Sequence, residues 1–255
     1  MLFSKVPVAT LGVPRIGRHR ELKHALESYW SGKSSEEALL EAASKLRAQN
    51  WMEQQRRGVT KVPSNDFSLY DHVLDTAVMV GAIPPAYGTA GGAITLDTYF
   101  AMARGSEAGA AACGHAGHGV TALEMTKWFD TNYHYLVPEL SNDQAFALKS
   151  TKPVDHFLEA RSLGIHTRPV ILGPVTFLKL AKSHDEGFDP MALLPRLLPV
   201  YEDLLARLHR AGADWVQVDE PALVLDLAPN EREAFRFAYD RLSKGAPELK
   251  LMLAT

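Results

Sequence analysis

Three short stretches of the chain carry side chains whose types and spacing could do chemistry. The first is GVPRIGRHRELKHALESYW, where Arg15, Arg18, Arg20 and Lys23 fall at the junction between a short β-type run and an amphipathic helical pattern. Arg20 and Lys23 are three residues apart on a helical face, and the helix start adds free N–H groups and a positive dipole end, so carboxylates or phosphates would be held there. The same residues would also serve as a solvated basic face. The second stretch is EMTKWFDTNYHYLVPEL, in which Lys127 stands among Trp128, Phe129, Tyr133, His134 and Tyr135. A lysine on an aromatic surface is either an anion contact or a side chain that lays its stem on a core and keeps its charge in water. The third is QVDEPAL, where Asp219 and Glu220 end a strand-like run of Trp215, Val216, Gln217 and Val218. Adjacent carboxylates at the C-terminal end of a strand could form an acid/base pair or bind an ammonium group. Successive strand residues point to opposite faces, so at least one of the two is expected to cap the following turn.

Histidine and cysteine add little. Asp71 and His72 in NDFSLYDHVLD follow another strand-like run, again at a ligand-binding end, where His72 either orients a ligand or is a hydrogen-bonded structural residue. Cys113, His115 and His118 lie in GSEAGAAACGHAGHG without a fourth ligand, so no more than adventitious metal binding is expected of them. A single cysteine excludes an intrachain disulfide and any site that needs two thiolates, and it fits a reducing compartment, the cytoplasm. GxSxG, P-loop and GxGxxG fingerprints are absent from the sequence, which argues against the hydrolase, nucleotide and dinucleotide classes. A formal charge of -3 leaves no overall positive field for a nucleic acid or an anionic membrane, and no apolar run approaches a membrane-spanning length.

The elements that must position these residues follow from periodicity. Strand-like runs at 8–13, 62–67, 133–137, 168–172, 215–218 and 249–253 alternate with helical patterns, as in parallel strands joined by helical crossovers. Leu22, Ala25, Leu26, Tyr29 and Trp30 form one apolar helical stripe. Ser34 and Glu37 have the spacing of a capping box for the next helix, which Gly58 would stop. Further helices are expected at 153–163, 191–211 and 231–242, ending at Gly164, Gly212 and Gly245. Residues 105–119, rich in Gly and Ala, are expected to form a mobile loop. With 255 residues, 46% hydrophobic, and no repeat or Pro/Ser-rich linker, the chain reads as a single domain. Pattern alone leaves open a doubly wound sheet or most of an eight-stranded barrel. The final residues, Leu251 to Thr255, lie inside an apparent strand, as at a fragment boundary.

The segments TLGVPRIG, RHRELK, DFSLYDHVLD, EMTKWFDTNYHYLVPEL, PVILGPVTFL and WVQVDEPAL, in this order, resemble the cobalamin-independent methionine synthase family over nearly the whole chain. The resemblance implies an α/β fold, a (βα)8 TIM-type barrel incomplete at its C-terminus with about six strand-helix units present, as the first of two face-to-face barrels. In that family the second barrel holds zinc through His, Glu and two Cys, and there homocysteine, as a thiolate, receives the methyl group of 5-methyltetrahydropteroyl-polyglutamate. Carried over to this sequence, the residues that contact the folate tail are Arg20, Glu21, Leu22 and Lys23, with Lys127 as a second contact. The chain is thus expected to bind 5-methyltetrahydropteroyl-polyglutamate and a C-terminal catalytic barrel, normally of the same chain. It is expected to hold no cofactor and no catalytic residue itself, with zinc in the C-terminal half, and to be inactive alone. Two other readings stand beside this one: a stand-alone barrel enzyme using Asp219 and Glu220, and a non-catalytic module that pairs with a separate catalytic chain.

Overall fold

The computed structural model describes residues 6–88, 94–107 and 119–255. Its centre is RPVIL, the strand β4 (Arg168–Leu172), every residue of which is buried. A strand buried on both faces needs neighbours and covering helices on each side. These neighbours are β1 (Pro63–Ser64) on one side and β5 (Trp215–Asp219) then β6 (Lys250–Ala254) on the other, all parallel. Beyond β1, the segment expected as a strand at 8–13 contributes only a parallel bridge between Ala9 and Lys61. The architecture is α/β with a parallel sheet, which does not close into a barrel among the described residues.

The run at 133–137 departs from expectation. It forms β3 (His134–Leu136), which pairs antiparallel with β2 (Met125–Lys127) in register Lys127 to His134, outside the parallel sheet. Tyr135 and Leu136 are buried while His134 and both ends of β2 are exposed. One wet face is tolerated by an antiparallel pair and not by a strand enclosed between helices. The parallel sheet therefore passes from β1 straight to β4, and residues 65–167 form an excursion from it.

Helices cover the sheet in two groups. The larger core joins β4 and β5 to α3 (His72–Val80), α6 (Pro174–Leu180), α7 (Leu194–Ala211) and α8 (Pro229–Gly245). A second core joins α1 (Glu21–Trp30), α2 (Glu36–Arg56) and α4 (Leu96–Arg104). α2 is capped by Ser35, which accepts from the Ala38 amide at 3.3 Å, one residue after the expected Ser34. Gly212 ends α7 in the left-handed region with φ 97, as expected, whereas Gly245 remains the last helical residue of α8. The expected Gly/Ala loop falls largely on 108–118, outside the described residues together with Cys113, His115 and His118; at its base Ser106 and Val120 form an antiparallel bridge. Among the described residues no helix is long and apolar enough to cross a membrane.

One close approach locks the sheet to its helices. Gly173, between β4 and α6, leaves room for the Glu220 side chain, whose carbons and oxygens a Cβ at 173 would strike. Its φ of -71 suits any residue, so the constraint is purely steric. Gly173→Ala should therefore destabilise the fold by about 1–3 kcal/mol, the usual cost of forcing a methyl into a filled site, read as a lower urea midpoint. An unchanged midpoint would mean that Glu220 does not occupy this position.

Candidate functional site

The C-terminal ends of β1, β4 and β5 open onto a cavity of about 470 Å³, covered by the N-terminal segment around Val13 and by α3. Asp219, the last residue of β5, faces this cavity, while Glu220 turns the other way. Glu220 is wholly buried and accepts from the Thr176 amide at 2.7 Å, the Val175 amide at 3.3 Å and the Tyr239 hydroxyl at 2.6 Å. It is the cap of α6, so the two adjacent carboxylates do not form an acid/base pair. Burial nevertheless raises the Glu220 carboxyl above its ordinary range, against the lowering by its donors.

The remaining charges in the cavity divide into engaged and unengaged groups. Lys152, the first residue of α5 (Lys152–Ser162), donates to Asn65 Oδ1 at 2.8 Å and to the Phe67 carbonyl at 2.7 Å, and pairs with Asp75 at 3.1 Å. Asp75 also accepts from Tyr99 at 2.8 Å. Asp66 accepts from the Val13 amide at 3.0 Å, and burial pushes its carboxyl up to about 6. Asp219 accepts from Gln217 Nε2 at 2.6 Å and is likewise raised by burial. Asp66, Asn65 and Lys152 were not singled out by sequence: the first two read as part of a strand, and Lys152 starts a helix remote in sequence. His72 contacts the Trp128 ring edge-on at 4.7 Å, stacks with Tyr133 at 6.0 Å and lies 3.7 Å from Asp71.

A second cavity, of about 300 Å³, runs between α1 and the β2–β3 hairpin. Lys23, Leu22 and Leu26 line it from the helix, and Met125 and His134 from the hairpin; Arg15 and Tyr133 belong to both cavities. Of the residues expected to contact a folate tail, Leu22 and Lys23 line this groove, whereas Arg20, Glu21 and Lys127 lie outside its lining. Arg20 is the left-handed N-cap of α1, with φ 62 and no side-chain cap. Glu21 accepts from the His19 amide at 2.9 Å; its own amide and that of His19 hold its carboxyl below the ordinary range. Leu22 is 1% exposed and forms part of the core beneath the groove. Lys23 makes an exposed 3.6 Å pair with Glu27, of a kind that contributes little to stability. Lys127 is exposed on β2, directly across from His134. Lys23 and the Lys127–His134 rung thus stand on opposite sides of one groove, with Arg20 at the start of α1.

Comparison with known proteins identifies the family of the chain. Residues 7–255 match the family described as cobalamin-independent synthase, N-terminal domain. The 5-methyltetrahydropteroyltriglutamate-homocysteine methyltransferase of Mesorhizobium japonicum is 72% identical over 254 residues, covering 97% of this chain and 33% of that protein. Its counterpart from Caulobacter vibrioides is 64% identical over 258 residues, covering 98% of this chain and 33% of that protein. The chain spans about a third of the length of the curated relatives it matches. A solved structure described as a vitamin-B12 independent methionine synthase from Listeria monocytogenes is 11% identical with a TM-score of 0.59, covering 97% of this chain and 65% of that one. At that identity the likeness concerns the fold alone.

The raised Asp66 carboxyl has a measurable signature. Its folded pKa of about 6 lies above the usual carboxylate value near 4, so between these values the folded state holds a proton that the unfolded state has released. The group's contribution to stability therefore falls as pH rises through that window. Asp66→Asn keeps a carbonyl for the Val13 amide and removes this cost. It should stabilise the protein at pH 7.5 by up to about 3 kcal/mol relative to its effect at pH 4, as read from denaturation midpoints at both pH values. A pH-independent difference would show that Asp66 is not held protonated by burial.

Proposed function

The chain belongs to the cobalamin-independent synthase family as its N-terminal domain, and we propose from this that it holds the polyglutamate tail of 5-methyltetrahydropteroyl-polyglutamate while the methyl group passes to homocysteine. The observation that carries the proposal is the groove itself, with Lys23 on one side and Lys127 beside the other. A polyglutamate tail presents a carboxylate on every residue, and Arg20, Lys23 and Lys127 answer these with charge-assisted hydrogen bonds. Glu21 fixes the loop before α1 through the His19 amide, and Leu22 forms the apolar floor. Neither of these needs to carry charge to the ligand.

On this reading the open parallel sheet is an arc of a (βα)8 barrel. The Ala9 bridge, β1, β4, β5 and β6 follow one another in chain order, as successive barrel strands do. The partner is a C-terminal catalytic barrel, which the relatives' threefold greater length accommodates in one chain. Zinc belongs with that partner. Among the described residues no three His, Cys, Asp or Glu side chains gather as a metal set, so no step through zinc is assigned to this chain. Thiol methylation suits a reducing compartment, the cytoplasm, as does a chain with one cysteine.

The test is folate affinity as a function of glutamate number in the full-length protein, for wild type, Lys23→Ala and Lys127→Ala. Each substitution should weaken the triglutamyl form by about 1–2 kcal/mol, less than a dry charge-assisted contact because both lysines are solvated. The monoglutamyl form should change little, and rising salt should erode the difference. Equal losses for both forms, or none for either, would refute tail binding at this groove.

A further inference from the structure

Once the internal pairs around the larger cavity are removed, three charged groups are left over. Lys152 donates to Asn65 and to the Phe67 carbonyl and pairs with Asp75 at 3.1 Å, and the other Asp75 oxygen accepts from Tyr99. Asp66 and Asp219 each have one oxygen occupied, by the Val13 amide at 3.0 Å and Gln217 Nε2 at 2.6 Å, and neither meets a cation within salt-bridge distance among the described residues. Arg15 spends one donor on the Ser68 carbonyl at 2.8 Å and likewise has no carboxylate partner. All three groups line the same cavity, whose wall has an apolar part, with Met79, Val170 and Leu172, beside polar His72, Thr76 and Tyr133.

We propose that this cavity is a binding site for a small zwitterion, an α-amino acid with an apolar side chain, whose ammonium group lies between Asp66 and Asp219 and whose carboxylate meets Arg15. The free guanidinium donors of Arg15 suit a carboxylate, and two half-engaged carboxylates suit an ammonium with three donors. The apolar wall takes the side chain, and about 470 Å³ is within the range of small-molecule pockets. Burial holds both aspartates above their ordinary range, a penalty that a bound ammonium relieves. The site is distinct from the tail groove in composition: it is acidic at the strand ends, where the groove carries Lys23, and the two share only Arg15 and Tyr133.

The experiment is titration calorimetry of the full-length protein with L-leucine, chosen because it carries no sulfur to draw it to a thiol-activating centre. Saturable binding is expected with a Kd on the order of 1 mM or tighter. N-acetyl-L-leucine, which lacks the ammonium, and L-leucinamide, which lacks the carboxylate, should each bind at least about tenfold more weakly. Asp219→Asn should weaken L-leucine by at least about tenfold, and Lys23→Ala should leave it unchanged. If Asp219→Asn lowers the melting temperature enough to cloud the comparison, Asp66→Asn serves in its place. Absence of saturable binding, equal binding of N-acetyl-L-leucine, or undiminished binding by both Asp→Asn variants would overturn the proposal. The outcome is independent of tail binding, which is read at Lys23 and Lys127.

Discussion

A carboxylate with no solvent exposure sits at the joint between the sheet and its helices. Glu220 takes amide donors from the first turn of α6 and a hydroxyl donor from Tyr239 on α8, while its own amide donates to the Ala254 carbonyl of β6 at 2.7 Å. A buried charge of this kind is tolerable only when its oxygens are filled with donors, and a helix N-terminus supplies donors and a favourable dipole together. The arrangement ties β5, β6, α6 and α8 to one point, and Gly173 must stay small to admit it. It also decides which way its neighbour faces. With Glu220 committed to α6, strand alternation aims Asp219 into the cavity.

The N-terminal segment is held by side chains in place of a ladder. Buried Arg168 donates to the Thr10 carbonyl and to Gln217, each at 2.6 Å; Gln217 in turn reaches the Leu11 carbonyl at 3.4 Å and Asp219 at 2.6 Å. Asp66 then accepts from the Val13 amide. These contacts satisfy backbone groups that a strand would pair with its neighbour, and they bring Arg15 over the cavity mouth. The cavity's cover and its polar floor are therefore one network.

The legible parts of the sequence were those where local pattern and tertiary fate coincide. RPVIL and WVQVD are apolar-rich runs ended by turn residues, and both became parallel strands within a residue of expectation. The QVDEP reading holds in part: alternation is a property of the backbone itself and turns Glu220 away from Asp219, but the Glu220 carboxylate caps α6, earlier in the chain, and not the turn that follows it. The run at 133–137 has the same local look, but its partner is decided by the wet side of His134 and by β2, a nearby strand with little apolar content of its own. The 8–13 run was lost to side-chain tethers that no period reveals. Lys152 and Asn65, which meet at 2.8 Å across 87 residues of chain, have no sequence signal short of the fold.

The division of charge between the two cavities follows from where each lies on the scaffold. The groove beside α1 is built from a helix face and a hairpin edge, both near solvent, where lysine side chains stay hydrated and act over a flexible reach. In the cavity at the strand ends the aspartates themselves are largely buried, so each such charge must be fixed by a neighbour or left unbalanced. Long cations suit a wet, extended polyanion, because each contact is weak and the tail contributes several; short aspartates at or just beyond strand ends suit a compact cation held at fixed distance. Arg15 stands where the two meet, tied to the Ser68 carbonyl and lining both. With one donor committed to that carbonyl, its guanidinium is held at the cavity mouth and keeps its other donors for a carboxylate.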